Sequence, residues 1–292
     1  MKKITLLFLL FYGLGLQAQE ARQFRLKKYK VAILSDSLSE SSGLNFFGNQ
    51  LFTFNDSGNT SELFQINPKT GKILKTLPTG LQNTDWEALA NDGKVFYIGD
   101  FGNNGGARRD LRIYKIPFVN GTLQQDSVKT IRFQYPDQND FTYRNITNDF
   151  DAESMVYLHG KLHVFSKAWK SNTIGHYILN PNQESEQIAE KTETFHTNFV
   201  VTDASFFDGT LYLVGYNKKM QVFLLLFREG NTNEFFRSAP LKYYLGSTLS
   251  LGQIEGISVD EKGVYFSGER FRTPLGNAPQ RLYFVPKDKL RP

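Results

Sequence analysis

The sequence predicts an all-β protein, a single five-bladed β-propeller, on the strength of three observations. A unit with one outline recurs five times along the 292-residue chain. Each unit opens on a short apolar run, turns tightly at a glycine and continues into an aromatic strand, and four of the five aromatic strands end at a proline. Successive openings lie 45, 66, 51 and 51 residues apart. Repeats of that length, built from short strands, are typical of propeller blades.

The clearest unit spans residues 84–117. Asp92-Gly93 lies between two runs of alternating apolar residues, which is the signal of a short hairpin. A loop rich in glycine, asparagine and arginine follows, and a third strand then ends at Pro117. Polar segments between the units supply a fourth, outer strand, so each blade is predicted to be a four-stranded antiparallel sheet.

The last unit ends without an outer strand, while residues 24–34 form a spare strand ahead of the first unit. We expect this N-terminal strand to pair beside the last blade, because closing the ring leaves no open sheet edge. Six blades are the alternative if the 66-residue interval contains another unit. An open sandwich is a further alternative. No linker interrupts the repeats, so residues 19–292 are predicted to form one domain.

The N-terminus has the pattern of a cleaved secretory signal over residues 1–18. Lys2 and Lys3 precede an apolar run over residues 4–16, and a small residue, Ala18, marks the exit. That run is shorter than the roughly 20 residues of a transmembrane helix, and no later segment could span a membrane. We therefore expect a monomer that is exported to the periplasm or the cell exterior.

Charge and composition exclude several classes of protein. The net charge of +5 falls to +3 when Lys2 and Lys3 leave, and the basic residues are expected to be scattered, which argues against nucleic-acid binding. The chain has no cysteine, so it has no disulfide, thiolate chemistry or lipid anchor on a cysteine. The expected partner is a small molecule, a glycan or another protein.

The blade topology predicts two rings of side chains on one face. The start of the inner strand and the end of the second strand lie at the same end of a blade. The opening residues are therefore predicted to ring one mouth of the central channel: Ser42, Glu87, Glu153, Ala204 and Glu255. The ends of the second strands form a wider ring: Asp56, Asp100, Lys167, Tyr216 and Glu269. Long loops bring Asn103, Arg109 and Arg270 to the same rim, where ligands commonly bind.

Three glutamates at this mouth predict either a cation site or catalytic carboxylates. Like charges a few ångströms apart raise one another's pKa unless a cation or an arginine neutralises them, and calcium accepts irregular sets of oxygen ligands. The predicted calcium ligands, which are also the candidate catalytic residues, are Glu87, Glu153 and Glu255. Asp56 and Asp100 are predicted outer partners. The alternative is a structural role, in which the glutamates cap backbone N–H groups or pair with Arg112 or Arg281.

Short motifs carry a family resemblance. They are Ser42-Gly43-Leu44, Asp85-Trp86-Glu87, Asp151-Ala152-Glu153 and Glu255-Gly256-Ile257. In these motifs the chain resembles secreted bacterial propellers of the SdiA-regulated and phytase-like groups. The resemblance implies a propeller that can hold calcium. The fourth unit departs from the pattern, with Ala204 at the glutamate position, and the dense aspartate clusters of phytases are missing, which argues against phosphate-ester hydrolysis.

The sequence leaves open whether the protein is an enzyme. A binding propeller needs only the rim and a structural calcium ion. A hydrolase of esters, lactones or phosphoesters would use metal-bound water or a carboxylate of raised pKa. A glycosidase would use two of the three glutamates as acid and base. A purely structural or assembly role is the remaining alternative.

Overall fold

The computed structural model describes residues 20–230, 233–274 and 276–290. Over these residues the chain forms five four-stranded antiparallel blades arranged as a five-bladed β-propeller, which confirms the predicted fold class. The sixth blade and the open sandwich are not found in this part of the chain. The predicted signal over residues 1–18 lies outside the described residues. No helix within the described residues is both long enough and apolar enough to cross a membrane.

The chain begins with two short strands and then builds the blades in order. The N-terminal elements are β1 (Arg22–Gln23), a 3₁₀ helix (Leu26–Tyr29), β2 (Lys30–Ile33) and a 3₁₀ helix (Asp36–Leu38). Blade 1 consists of β3 (Ser41–Phe47), β4 (Gln50–Asn55), β5 (Glu62–Ile66) and β6 (Ile73–Pro78). Blade 2 consists of β7 (Trp86–Asn91), β8 (Val95–Asp100), β9 (Arg112–Val119), the short β10 (Thr122–Leu123), a 3₁₀ helix (Gln125–Ser127) and β11 (Lys129–Gln134).

The remaining blades follow the same order. Blade 3 consists of β12 (Ala152–Leu158), β13 (Lys161–Ser166), β14 (Thr173–Leu179) and β16 (Glu190–His196), and the short β15 (Gln187–Ile188) ahead of β16 pairs in parallel with β11 of blade 2. Blade 4 consists of β17 (Val200–Phe207), β18 (Thr210–Tyr216), β19 (Gln221–Arg228) and β20 (Leu241–Ser247), followed by the helical turn α1 (Thr248–Leu251). Blade 5 consists of β21 (Gln253–Val259), β22 (Gly263–Glu269), the hairpin β23 (Phe271–Thr273) and β24 (Gly276–Ala278), β25 (Arg281–Pro286) and a 3₁₀ helix (Lys287–Lys289).

The N-terminal segment closes the ring as predicted. β2 pairs antiparallel with β25, with Ile33 opposite Arg281, and so becomes the fourth strand of blade 5. β1 pairs in parallel with β20 and extends blade 4. The closing strand is shorter than the predicted 24–34 because the 3₁₀ helix interrupts it. Closure removes the exposed edge that blade 5 would otherwise present.

The hydrophobic core is divided into five clusters, each between two neighbouring blades. Between blades 1 and 2, for example, the rings of Phe52 and Phe96 meet edge to face with centroids 5.0 Å apart, and Phe47 lies 4.7 Å from Phe96. Edge-to-face contacts of this kind add to the free energy of burying the rings. The aromatic side chains of the strands therefore hold the blades to one another.

Every inner strand contains a β-bulge near its start. The residues that the cross-strand pairing skips are Gly43, Glu87, Glu153, Thr202 and Glu255. These five positions are the true structural equivalents. The predicted ring was therefore wrong in two blades, because Thr202 and Gly43, not Ala204 and Ser42, correspond to the three glutamates. Gly43 needs to be glycine, since its φ is +63° and a Cβ there would lie 2.7 Å from the Phe54 ring.

Candidate functional site

The bulges explain why three glutamates converge on the channel mouth. A bulged residue has no cross-strand partner, and the local kink re-aims its side chain. Glu87, Glu153 and Glu255 are almost buried, with 2%, 2% and 4% of their surface exposed. Their charges interact, because Glu153 acts electrostatically on Glu87 and Glu255 acts on Glu153. The structure thus brings the three predicted glutamates to one mouth, but it gives each of them different neighbours.

Glu87 belongs to a cluster of three carboxylates. One carboxylate oxygen from each of Asp56, Asp85 and Glu87 lies within 4.8 Å of the other two. Within the described residues, this is the one group of acidic or histidine side chains that meets this distance. The Glu87 carboxylate accepts no hydrogen bond from any residue that the structure describes. We call these three residues the acidic triad.

Hydrogen bonds between the Asn83 side chain and the backbone hold the triad's two loops together. The Asn83 side chain donates to the carbonyl oxygens of Asn55 (3.2 Å) and Asp56 (3.1 Å), and its own oxygen accepts from the Trp86 N–H at 3.1 Å. Asn83 thereby joins the end of blade 1's second strand to the start of blade 2's inner strand. Asp85 lies between these anchored points, so its carboxylate is carried to the side of Asp56.

Gly102 allows the triad to pack closely. A Cβ at this position would lie 2.5 Å from Asp85 Oδ2 and 2.5 Å from Glu87 Oε1. The backbone N–H of Gly102 also donates to the Asp85 carbonyl at 3.2 Å. Any side chain at position 102 would displace the tips of two of the three carboxylates.

The triad is electrostatically strained. Burial, followed by the charge of Glu255, raises the pKa of Asp56 to about 7. Burial also raises the pKa of Asp85, and burial together with Asp56 and Glu153 raises that of Glu87 well above its ordinary value. Unlike charges nearby would favour the ionised forms. The carboxyl groups of the triad therefore release their protons less readily than exposed carboxyl groups do.

Glu153 already has a cation of its own. Lys167 follows β13, is 5% exposed, and its ammonium group pairs with Glu153 Oε1. The same ammonium lies 5.3 Å from the Trp169 ring centre and 5.9 Å from that of Tyr216. Burial alone would lower the pKa of Lys167, but Glu153 and the neighbouring Tyr216 hold it well above its ordinary value. Glu153 is thus neutralised internally.

Glu255 is hydrogen-bonded to neutral groups. Its Oε1 accepts from the Tyr216 hydroxyl at 3.2 Å and from the Gln253 amide at 3.0 Å. The same amide lies 3.4 Å from Glu269 Oε2. Burial, followed by the charge of Glu255, raises the pKa of Glu269 well above its ordinary value. Glu255 and Glu269 form a second carboxyl pair beside the triad.

Asp100 takes a structural position instead of the predicted outer ligand position. It is fully buried and pairs with Arg108 and Arg112, both at 3.0 Å, and it also accepts the Asp85 N–H at 3.1 Å. The register explains this placement. Asp100 lies opposite Trp86, one residue before the position that is equivalent to Lys167. Arg112 therefore pairs with Asp100 and not with a channel glutamate.

The three predicted loop residues lie outside the acidic cluster. Asn103 is buried, with its N–H donating to Asp151 Oδ1 at 2.6 Å and its side-chain oxygen accepting from the Arg108 N–H at 2.9 Å. Arg109 is exposed and stacks 3.6 Å from the Phe141 ring centre. Arg270 pairs with Asp36 and braces the loop before blade 1. Sequence reasoning missed Asp85 as a candidate ligand, although its position two residues before Glu87 was the available signal.

The opposite mouth of the channel has a different character. A cavity of about 200 Å³ is lined there by the ends of all five inner strands. Its polar side chains join neighbouring blades: Ser258 accepts from the Phe46 N–H, Ser205 from the Val259 N–H, and Asn91 donates to the Phe46 carbonyl. None of the residues lining this cavity is ionisable at neutral pH. The chemistry of the channel is therefore concentrated at the acidic mouth.

The strand pairing and these side chains define a five-bladed β-propeller with an acidic channel mouth. No family model matches the chain, and no curated protein matches it in sequence. The chain is similar in structure to the hydrazine synthase of Kuenenia stuttgartiensis (TM-score 0.41, 11% identity, 83% of this chain and 59% of that chain). It is also similar to U3-55K (TM-score 0.40, 10% identity, 84% of this chain and 68% of that chain).

A third similar structure is a Thermus thermophilus protein described as an oxidoreductase of the glucose dehydrogenase type (TM-score 0.42, 13% identity, 86% of this chain and 85% of that chain). The present chain spans less than two thirds of the hydrazine synthase chain. At these TM-scores and identities the likenesses carry no conclusion about function. The family resemblance suggested by the sequence motifs is matched by none of these comparisons.

Proposed function

We propose that the protein is an exported β-propeller that binds a calcium ion at its acidic channel mouth and uses that face to hold a ligand or partner. The observation that carries this proposal is the acidic triad. Asp56, Asp85 and Glu87 lie within 4.8 Å of one another, and the almost buried Glu87 carboxylate lacks a hydrogen-bond donor among the described residues. A cluster of this kind needs positive charge.

The donor set fits calcium better than magnesium. Calcium binds oxygen at 2.3–2.6 Å, so oxygens on one ion can lie up to roughly 5 Å apart. Magnesium binds at 2.0–2.1 Å, which limits that separation to roughly 4 Å. The oxygens of the triad lie within 4.8 Å of one another, which calcium can span, and calcium accepts irregular ligand geometry where magnesium demands a near-ideal octahedron. Carboxylates without nitrogen or sulfur ligands also favour a hard cation.

We assign different roles to the carboxylates at the channel mouth. Asp56, Asp85 and Glu87 would hold the ion, and Gly102 keeps room for two of them. Glu153 pairs with Lys167 and would not bind the ion. The bound ion would supply a positive charge that can attract an oxygen-bearing ligand to the mouth.

Thermal unfolding of the chelated protein, with and without added calcium, tests this proposal. We expect calcium to raise the melting temperature, because a ligand that binds only the folded state stabilises it. A variant with Asp56→Asn, Asp85→Asn and Glu87→Gln should lose the response. Glu255→Gln, which removes a carboxylate outside the triad, should keep it. No calcium response in the wild-type protein, or equal loss in both variants, would overturn the assignment of the ion to the triad.

A hydrolase is the second candidate, and the Glu255–Glu269 pair favours it. A carboxyl group whose pKa is raised by burial can serve as a general acid. Screening ester, lactone, phosphoester and glycoside substrates tests this function. Turnover that disappears in Glu269→Gln, while the calcium response remains, would support it. Absence of turnover on all four classes would leave the binding function.

The export proposal rests on residues 1–18 and has its own test. Mass spectrometry of the protein recovered from the native cell envelope should show an N-terminus close to Gln19. Recovery of the uncleaved chain from the cell interior would contradict export.

A further inference from the structure

Five basic side chains are concentrated in nine residues near the start of the described chain. They are Arg22, Arg25, Lys27, Lys28 and Lys30, and all five are exposed. None of them forms an ion pair with a residue that the structure describes. The expectation that basic residues are scattered was therefore wrong for this segment, which we call the basic segment (residues 22–30).

The basic segment is held firmly against the propeller. Leu26 has no exposed surface and packs in the core cluster between blades 4 and 5. The rings of Phe24 and Tyr29 stack with centroids 5.2 Å apart. The strands on either side pair with blades 4 and 5. The five charges therefore lie on an ordered surface segment, not a loose tail, and three of them line one groove, which makes the segment a basic patch.

The patch borders a groove with an apolar side. A cavity of about 370 Å³ is lined by Arg25, Lys27 and Lys28 together with Leu245 and Leu251. Positive charge beside apolar surface suits a partner that has negative headgroups above hydrocarbon. The chain from residue 19 onward has a net charge of +3 and would have −2 without these five charges, so the segment carries the excess positive charge of the protein. The nearest acidic residue in sequence, Glu20, is exposed at the start of the segment.

We propose that the basic segment docks the propeller on an anionic lipid surface. The position of the segment in the chain favours a membrane over other polyanions. The apolar run over residues 4–16 ends six residues before Arg22, so the patch adjoins the part of the chain that meets the membrane during export. This docking is independent of any ion at the channel mouth.

Vesicle co-sedimentation tests the docking. The chain from residue 19 onward, which contains every described strand, is mixed with vesicles of phosphatidylcholine alone or with added phosphatidylglycerol. We expect binding to the anionic vesicles only, and release as salt is raised, because the attraction falls off within a Debye length. Changing all five basic residues to Gln should weaken binding by roughly a hundredfold or more.

A matched control separates the patch from net charge. Five exposed lysines elsewhere form no ion pair with described residues: Lys69, Lys72, Lys94, Lys218 and Lys219. Changing these five to Gln removes the same charge and should leave vesicle binding within about threefold of wild type. Equal loss in both variants would show that overall charge is responsible and would overturn the proposal.

Two further outcomes are decisive. If the five-residue variant fails to fold, the milder Lys27→Gln/Lys28→Gln variant, changed only at exposed side chains, should still weaken binding roughly tenfold. No binding of the wild-type protein to anionic vesicles overturns the proposal. Binding to double-stranded DNA as tight as that to the vesicles, under the same salt, would also overturn it by identifying a general polyanion site.

Discussion

The carboxylate of Asp203 in blade 4 accepts a hydrogen bond from the backbone N–H of Ile257 in blade 5 at 2.7 Å. The same Oδ2 accepts from the Leu44 N–H of blade 1 at 3.3 Å, and Oδ1 accepts from the Ala204 N–H at 2.8 Å. Asp203 is 1% exposed. One side chain therefore satisfies buried donors on three blades, including the pair of blades between which the ring closes.

Replacing Asp203 should lower the stability of the propeller by more than the loss of such a small side chain would suggest. Asp203→Ala leaves three buried N–H groups without an acceptor, and each costs about 1–3 kcal/mol. We expect the free energy of unfolding to fall by at least about 3 kcal/mol in urea titrations. Asp203→Asn retains one acceptor oxygen and should lose less. Equal losses in both variants would show that one acceptor oxygen recovers nothing, and would contradict this expectation.

Gly102→Ala should weaken cation binding while preserving the fold. The added methyl group would lie 2.5 Å from oxygens of Asp85 and Glu87, and flexible carboxylate tips can move aside. Displaced ligands should lower calcium affinity at least tenfold in isothermal titration calorimetry, which corresponds to about 1.4 kcal/mol. Gly93→Ala, at a turn with open space around it but φ of +82°, controls for the general effect of losing a glycine. Affinity that stays unchanged in Gly102→Ala would contradict the close packing of the triad.

Lys167 should be needed for the stability of the fold, because its partner Glu153 is buried. Lys167→Met removes the counter-ion from a carboxylate that is 2% exposed, and breaking a buried pair in this way costs about 3–5 kcal/mol. Adding Glu153→Gln should recover most of the loss, because the unpaired buried charge is then gone. Urea unfolding of the two single variants and the double variant measures this coupling. Simple additivity of the two changes would show that the pair does not interact.

Acid should destabilise the protein through two buried histidines. His163 Nδ1 lies 2.9 Å from His176 Nε2, and His176 Nδ1 lies 3.0 Å from Glu193 Oε1. Burial, followed by the neighbouring His176, lowers the pKa of His163 to about 3, and burial also lowers that of His176. In the unfolded chain a histidine titrates near 6.5. Both residues are therefore neutral in the folded protein at pH values where the unfolded chain binds protons.

The sign of the pH effect follows from these shifts. A histidine of lowered pKa stabilises fully above about pH 6.5, and its contribution is lost as the pH falls toward 3. Between pH 7 and pH 5, His163 alone should remove about 2 kcal/mol from the free energy of unfolding. His163→Phe should flatten that dependence, while the exposed His196→Gln should leave it unchanged. The raised pKa of Asp56 acts in the opposite sense over the same range, so the test is the difference between the two proteins: an identical pH dependence of wild type and His163→Phe would contradict this account.

The repeat pattern alone was sufficient to predict the blades. Asp92-Gly93 and the other hairpin signals depend on local turn geometry, and the apolar run that opens each unit marks a buried strand. Both can therefore be recognised in the sequence before the tertiary structure is known. Ring closure was also predictable, because a spare strand at one end matches a missing strand at the other. Both kinds of signal depend on residues that are close in sequence or on the count of strands.

The amino-acid sequence did not predict which residues occupy structurally equivalent positions in different blades. A bulge shifts the register by one residue, and a one-residue shift turns a side chain to the other face of a strand. This is why Gly43 and not Ser42 corresponds to Glu87, and why Asp100 is turned toward Arg108 and Arg112. The pairing that creates the bulge exists only in the folded sheet.

The local sequence was enough to specify five antiparallel blades, the closing strand and the arrival of three glutamates at one channel mouth. Which partner each of the three glutamates takes could be seen only in the folded chain. Glu87 joins Asp56 and Asp85, Glu153 takes Lys167, and Glu255 takes neutral donors. The physical reason is that charge partners are chosen by distance and burial, and residues from different blades are brought within a few ångströms only when the ring has closed.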